Sequence, residues 1–305
     1  MKNLFGLKVL TYVAMGLFMF IASCSDNNKI DFTTTDATNV EGESTSDSYS
    51  SDALDVSTDA VNAVPTSVFG GREGRGEETP VTGLGENDKL KCAKVTITRT
   101  GTSNDIPTGV ITIVYPADGT CKDGRGNVRK GTITITYTGK KFALNSKIVT
   151  TFTEYSIGGV KIEGTYTLTN VTATTTDFPR FTAVIVGGKV TFLDGKTVTR
   201  EQSFTREWQR GANPSSDKWV LLAGGTASGS NRDGVVYNMS ITKDLVYSRA
   251  CQISNKVFIA VSGEKTFKSG DKLMTINFGD GACDNKVTIT VNGKSKEVEI
   301  KGDGN

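Results

Sequence analysis

Few groups in this chain could do covalent or acid–base chemistry. Its 305 residues contain no histidine, which removes Ser-His-Asp and Cys-His catalysis, histidine-ligated metals and the side chain best suited to proton exchange near neutrality. Carboxylates remain. Glu154 and Glu163 fall on neighbouring strands of an expected hairpin, and Glu201 and Glu207 on a single strand, so a glycan hydrolase working through a carboxylate pair is the alternative to a non-enzymatic protein. All four read as water-facing positions, where solvated charge beside Lys or Arg is the simpler meaning. The turns "DGTCKDGRGN" and "GDGACDN" offer Asp118, Asp123, Asn127, Asp280, Asp284 and Asn285 as oxygen ligands for calcium. Tight turns select the same residue types, so neither a metal site nor a cofactor is assigned. The best ligand-binding candidate is the strand "TVTREQSFTREWQRG". Arg200, Phe204, Arg206, Trp208 and Arg210 share one side of it, alternating guanidinium forks with aromatic faces that can stack on sugars or hold acidic glycans. The plainer reading makes Phe204 and Trp208 core residues covered by arginine stems.

Thiols are the other reactive groups. Cys92, Cys121, Cys251 and Cys283 form two segments that begin and end alike, each running cysteine, strand, loop, strand, Asp-Gly, cysteine over about 30 residues. With Cys24 set aside, four of the five cysteines remain, and an even number in an exported chain is a disulfide candidate. The repeat suggests a duplicated unit, near 90–139 and 249–300, in which Cys92 pairs with Cys121 and Cys251 with Cys283. Joining like to like, Cys92 to Cys251 and Cys121 to Cys283, is the second choice. On the chain-entropy account each closed loop contributes about 3 to 4 kcal/mol.

The elements that must hold these groups read as strands. From Leu90 onward the apolar period is two: "VKIEGTYTL" puts Val160, Ile162, Tyr166 and Leu168 on one side, and "TITITY", "VVYNMSIT" and "KVTITV" repeat the scheme. Gly158-Gly159, Gly187-Gly188, Asp194-Gly195, Asp233-Gly234 and Asn292-Gly293 are expected to supply hairpin turns. About a dozen strands and no amphipathic helix imply an all-β, antiparallel meander, closed as a β-sandwich or as a strongly curled sheet, with the sandwich preferred. A membrane β-barrel does not fit, because the non-core face is Thr, Lys, Glu and Asn.

Charge divides the chain. Residues 25–80 carry 12 acidic against 3 basic residues, a net of −9. With +2 for the whole chain and +2 before residue 24, residues 81–305 carry +9. The acidic stretch, with few large apolar residues, is expected to be a disordered tether spanning residues 24–85, about 40 Å end to end as a random coil. The basic β-domain, residues 86–305, has no lysine or arginine run of the kind that nucleic acid selects.

Residues 1–23 read as an export signal: Lys2 and Lys8 flank a basic start, and the apolar run "VLTYVAMGLFMFIAS" is too short for a membrane span. It ends in "IASC", which resembles the lipobox of bacterial lipoproteins. The resemblance implies a diacylglyceryl thioether and further acylation, palmitate included, at Cys24, with the mature protein anchored to the outer membrane rather than spanning it. The polar, acidic "CSDNNKID" looks like the export tags of Bacteroidetes surface lipoproteins. Together with "DGRGNVRKGTITITYTG", "GVKIEGTYTLTN" and "GDGACDN", the pattern resembles uncharacterised Bacteroidetes lipoproteins, which implies a lipid-anchored cell-surface module and transfers neither an activity nor a functional residue; the expected partner is a glycan or an envelope protein.

Overall fold

The computed structural model describes residues 34–300 apart from 66–75, 85–88, 104–105, 124–125, 141–142, 173–177 and 258. Among the described residues the β-period translates into fifteen strands. They are β1 (Glu78–Pro80), β2 (Lys94–Ser103), β3 (Ile106–Tyr115), β4 (Arg129–Thr138), β5 (Lys147–Ile157), β6 (Val160–Asn170), β7 (Arg180–Thr191), β8 (Thr197–Gln209), β9 (Lys218–Leu221), β10 (Thr226–Ser230), β11 (Val236–Ser248), β12 (Ser262–Ser269), β13 (Lys272–Asp280), β14 (Lys286–Val291) and β15 (Lys294–Glu299). Every strand pairs antiparallel with its neighbour in a single sheet, and only β9 stands off the main path, pairing with β8 and β11. The fold is thus the all-β antiparallel meander that the alternation implies. The preferred sandwich is not what forms, since one hydrogen-bonded sheet contains all the strands. Curling is the closure adopted.

What the sheet curls around overturns the expected tether. Thr34–Ala63, in the middle of the acidic stretch, is a 30-residue helix, α1. Of its residues with described side chains only Ser51 and Asn62 are exposed, whereas Val40, Glu43, Tyr49, Ala53, Leu54, Val56, Ser57, Ala60 and Val61 are buried. Its serines, threonines, aspartates and valines are modest helix formers, so a segment of this composition is marginal alone and is ordered by its surroundings. Large apolar groups are too few in this segment to offset ordering entropy on their own. Its small side chains nonetheless let the helix lie close to a concave sheet, and its acids are buried where the sheet supplies cations. The domain also starts before residue 86, because Glu78–Pro80 pairs with β2.

Distances along the helix and the sheet prove the wrapping. Glu43 meets Lys265 of β12, and Asp52 meets Arg129 of β4. Nine helical residues advance about 14 Å, while seven inter-strand steps from β4 to β12 cover about 34 Å of sheet. Only a sheet bent round the helix can satisfy both. Two apolar clusters share α1: Tyr49–Val64 packs with residues of β2–β7, and Val40 with residues of β8 and β10–β14.

Cys92 is joined to Cys121 and Cys251 to Cys283, with Cα atoms 5.4 and 5.1 Å apart. The duplicated hairpins nonetheless point in opposite directions. Successive registers put the β3–β4, β5–β6, β7–β8, β10–β11 and β12–β13 turns at one end of the sheet, with Cys121. The β13–β14 turn that carries Cys283 lies at the other. There Cys251 sits in a short helix, α2 (Arg249–Asn255), whose N-terminus is capped by the Ser248 side chain. Each end of the curled sheet therefore has its own covalent staple.

Candidate functional site

Most of the buried charged groups converge on the seam between α1 and the inner face of the sheet. Along β4, β8 and β12, one cation stands at the inward parity of each strand: Arg129 in step with Ile133 and Ile135, Arg200 in step with Val198 and Phe204, Lys265 in step with Phe267. Arg200 is 1% exposed. Its Nη1 donates to Glu43 Oε1 at 3.0 Å, its Nη2 to Asp47 Oδ1 at 2.6 Å and its Nε to Gln202 Oε1 at 2.8 Å. The other Glu43 oxygen accepts from Lys265 Nζ at 2.7 Å. Burial by itself would raise the Glu43 pKa, but Lys265 and Arg200 outweigh it and hold the carboxyl below its ordinary value.

A second cluster sits nearer the C-terminal half of α1. Arg129 grips Asp52 with both terminal nitrogens, at 2.7 and 3.0 Å, donates from Nε to Asp123 at 3.0 Å and from Nη1 to the Tyr155 hydroxyl at 2.6 Å. Lys89 reaches Asp52 at 2.9 Å. Desolvation opposes ionisation of Asp52, yet Lys89 and Arg129 bring its pKa down to about 2. The same buried surroundings push the Tyr155 and Tyr115 hydroxyls up, so both stay protonated, and Tyr115 donates to the Lys89 carbonyl at 3.1 Å. Asp55 lies 3.6 Å from Lys89 and 3.7 Å from Arg206 of β8, so a single helical carboxylate spans two walls of the trough.

The arginine–aromatic strand is divided by this arrangement. Arg200 and Phe204, expected to meet a ligand, point into the core and are engaged there. Arg206, Trp208 and Arg210 meet Trp219 of β9 in a four-layer stack. The Arg206 guanidinium lies 4.1 Å from the Trp219 ring, the two indoles are stacked at 5.6 Å, and Arg210 lies 4.5 Å from Trp208. Trp208 Nε1 donates to Asp217 at 2.9 Å. Both faces of both indoles are thereby occupied, so a sugar ring could stack only by displacing Arg210, the exposed outer layer.

The carboxylate pairs do not form an acid–base couple either. Glu207 is buried rather than wet. It accepts from Arg180 at 2.7 Å and from Gln209 at 2.8 Å, which hold its pKa below the usual carboxylate value despite desolvation. Glu201 takes the Gly187 backbone N–H at 2.7 Å. Lys161 lies between Glu154 and Glu163 at 3.0 and 3.7 Å. In the turns, Asp118 accepts from the Thr120 N–H, Asp123 from the Asn127 N–H and Asp284 from the Lys286 N–H, the local bonding that turn residues are selected for. Among the described residues no group of three or more Cys, Asp or Glu is placed to hold a metal ion.

Comparison with protein-family models, with curated proteins and with solved structures found no match. The residues missed from sequence are the helical acids Glu43, Asp47, Asp52 and Asp55, which had been assigned to the tether. Two signals pointed to them: the nearly cancelling charges of the acidic and basic segments, and the cations on the inward parity of three strands, which demand buried counter-charges.

Proposed function

We propose that the chain is an exported lipoprotein, acylated at Cys24 and held on the outer membrane with its β-domain at the cell surface, where it acts as a non-enzymatic binding or structural module. "IASC", about ten residues ahead of α1, carries this reading. The two disulfides fit an oxidising compartment outside the cytoplasm. With α1 seated in the sheet, residues 34–63 belong to the folded domain and not to a linker. A glycan or an envelope protein as partner would meet the outer turns and the Arg210 margin rather than the filled trough. A hydrolase is disfavoured because a general acid needs a carboxyl raised toward neutrality, whereas Glu43, Asp52 and Glu207 are all held low.

The expected result is incorporation of labelled palmitate into the wild-type protein and none into Cys24→Ala, with the wild-type β-domain cut by protease added to whole cells. A mature N-terminal residue without acyl groups would overturn the anchoring. Protection from added protease until the outer membrane is broken would place the domain in the periplasm.

A further inference from the structure

The two disulfides are not held alike. Cys121 is 1% exposed and belongs to the large apolar cluster of β2–β7, with Cys92 packed against it. Cys283 is exposed in the β13–β14 turn, and Cys251 belongs to a small cluster with Val257 and Val261. Cys251 is also the only buried side chain of α2, whose Ile253 faces solvent. A helix of seven residues is too short to persist on its own hydrogen bonds. What holds α2 is the Ser248 cap at its start and the disulfide one turn in.

Helix α2 leads directly to the stacked indoles. Its first residue, Arg249, donates its backbone N–H to the Asp217 carbonyl at 3.1 Å. The Asp217 carboxylate in turn accepts from Trp208 Nε1 and from the Gly211 N–H, both at 2.9 Å. Just before α2, Ser248 pairs with Lys218 and Tyr247 with Trp219. The helix itself packs on the Pro214–Ser216 turn that precedes β9. Asp217 and α2 therefore brace the end of β8 and β9 at which the indoles lie. Trp208 and Trp219 are the only tryptophans of the chain, so the stack reports on α2 without added labels.

We propose that Cys283 is a thiol-exchange site and the Cys251–Cys283 disulfide a reducible latch, whose opening frees α2 and loosens the Trp208–Trp219 stack while the Cys92–Cys121 disulfide and the sheet stay intact. The co-reactant is a dithiol, the chemistry of thiol–disulfide oxidoreductases. Its thiolate attacks the exposed Cys283 sulfur, the bond to Cys251 breaks, and Cys251 leaves as a thiolate. The second thiolate of the dithiol then closes a disulfide with the first and expels Cys283. Two electrons pass from the dithiol to the cystine, and the two protein sulfurs end with the protons that the dithiol gives up. Exposed disulfides are the labile ones, and α2 without its one buried anchor opens as a local unit. The latch thus ties access to the indole faces, now covered by Arg206 and Arg210, to the thiol state of the surroundings.

The test titrates the full mature chain with dithiothreitol under native conditions, quenches with iodoacetamide, and reads each cysteine by peptide mass alongside tryptophan emission. Cys251 and Cys283 should be labelled about tenfold faster than Cys92 and Cys121. Emission should move to longer wavelength in step with them, reverse on reoxidation, and leave the far-ultraviolet circular dichroism of the sheet in place. The variant Cys251→Ser, Cys283→Ser should show the shifted emission before any reductant is added. Should that variant fail to fold, the wild-type titration decides alone. Equal labelling of the two pairs, earlier labelling of Cys92 and Cys121, unchanged emission once Cys251 and Cys283 are labelled, or loss of the sheet signal together with them would each overturn the latch.

Discussion

Arg200→Met is expected to destabilise the protein by about 3–5 kcal/mol, the largest effect of any single polar substitution, measured by denaturant unfolding. The substitution removes a guanidinium that is 1% exposed and leaves Glu43, which is wholly buried, with Lys265 alone. An uncompensated buried charge is the costly state; the ion pair itself stabilises little relative to apolar packing. Asp47 retains partial exposure and can rehydrate. Hence the combined variant Glu43→Leu, Arg200→Met, Lys265→Met should recover most of the loss. If it is no more stable than Arg200→Met, the cost has another origin, such as lost packing over Phe204, against which the guanidinium also rests at 5.6 Å.

Acid should release α1, and the sign follows from the direction of the carboxyl shifts. Asp52 is held down to about 2 from an unfolded value of 3.8, and Glu43 is lowered from 4.5. A carboxyl whose folded pKa is depressed stabilises the native state above its unfolded pKa and loses that contribution as pH falls through the folded value. The Asp52 shift corresponds to about 2 kcal/mol, with Glu43 adding in the same direction. Stability should therefore be flat from neutrality to about pH 5, decline below about pH 4.5, and have lost these contributions near pH 2. Asp52→Asn should shrink the acid-dependent part of the curve while lowering stability at neutral pH. A midpoint of the stability loss between pH 5 and 7 would contradict the assignment, because no histidine is present to titrate there.

Legibility followed the kind of interaction. Strand positions were plain because alternation such as Ile133, Ile135, Tyr137 is a local signal with a fixed period. The disulfides were plain because two cysteine-bounded segments of nearly equal length repeat one plan. Helix α1 was not plain. Its sequence carries no broad apolar stripe, and the physics that orders it is non-local: Arg129, Arg200 and Lys265 come from strands far along the chain and become its surroundings only when the sheet bends. The same long-range fact misdirected the reading of Arg200 and Phe204. From the strand alone, an arginine beside an aromatic ring at the inward parity resembles a ligand platform, and only the acidic helix shows that the platform is occupied from within. Trp219 was likewise invisible as the partner of Trp208, since β9 reaches β8 after a turn whose only sequence mark is "GANPSSD".

That α1 lies inside the sheet is most directly tested by native-state hydrogen–deuterium exchange of the full mature chain, resolved by peptide. Amides of residues 49–61 should show protection comparable with β4 and β8, and should lose it together with those strands as denaturant is added. Rapid exchange across residues 34–63 while the strands stay protected would mean that the acidic segment is a free tether, and the account of the buried seam would fail.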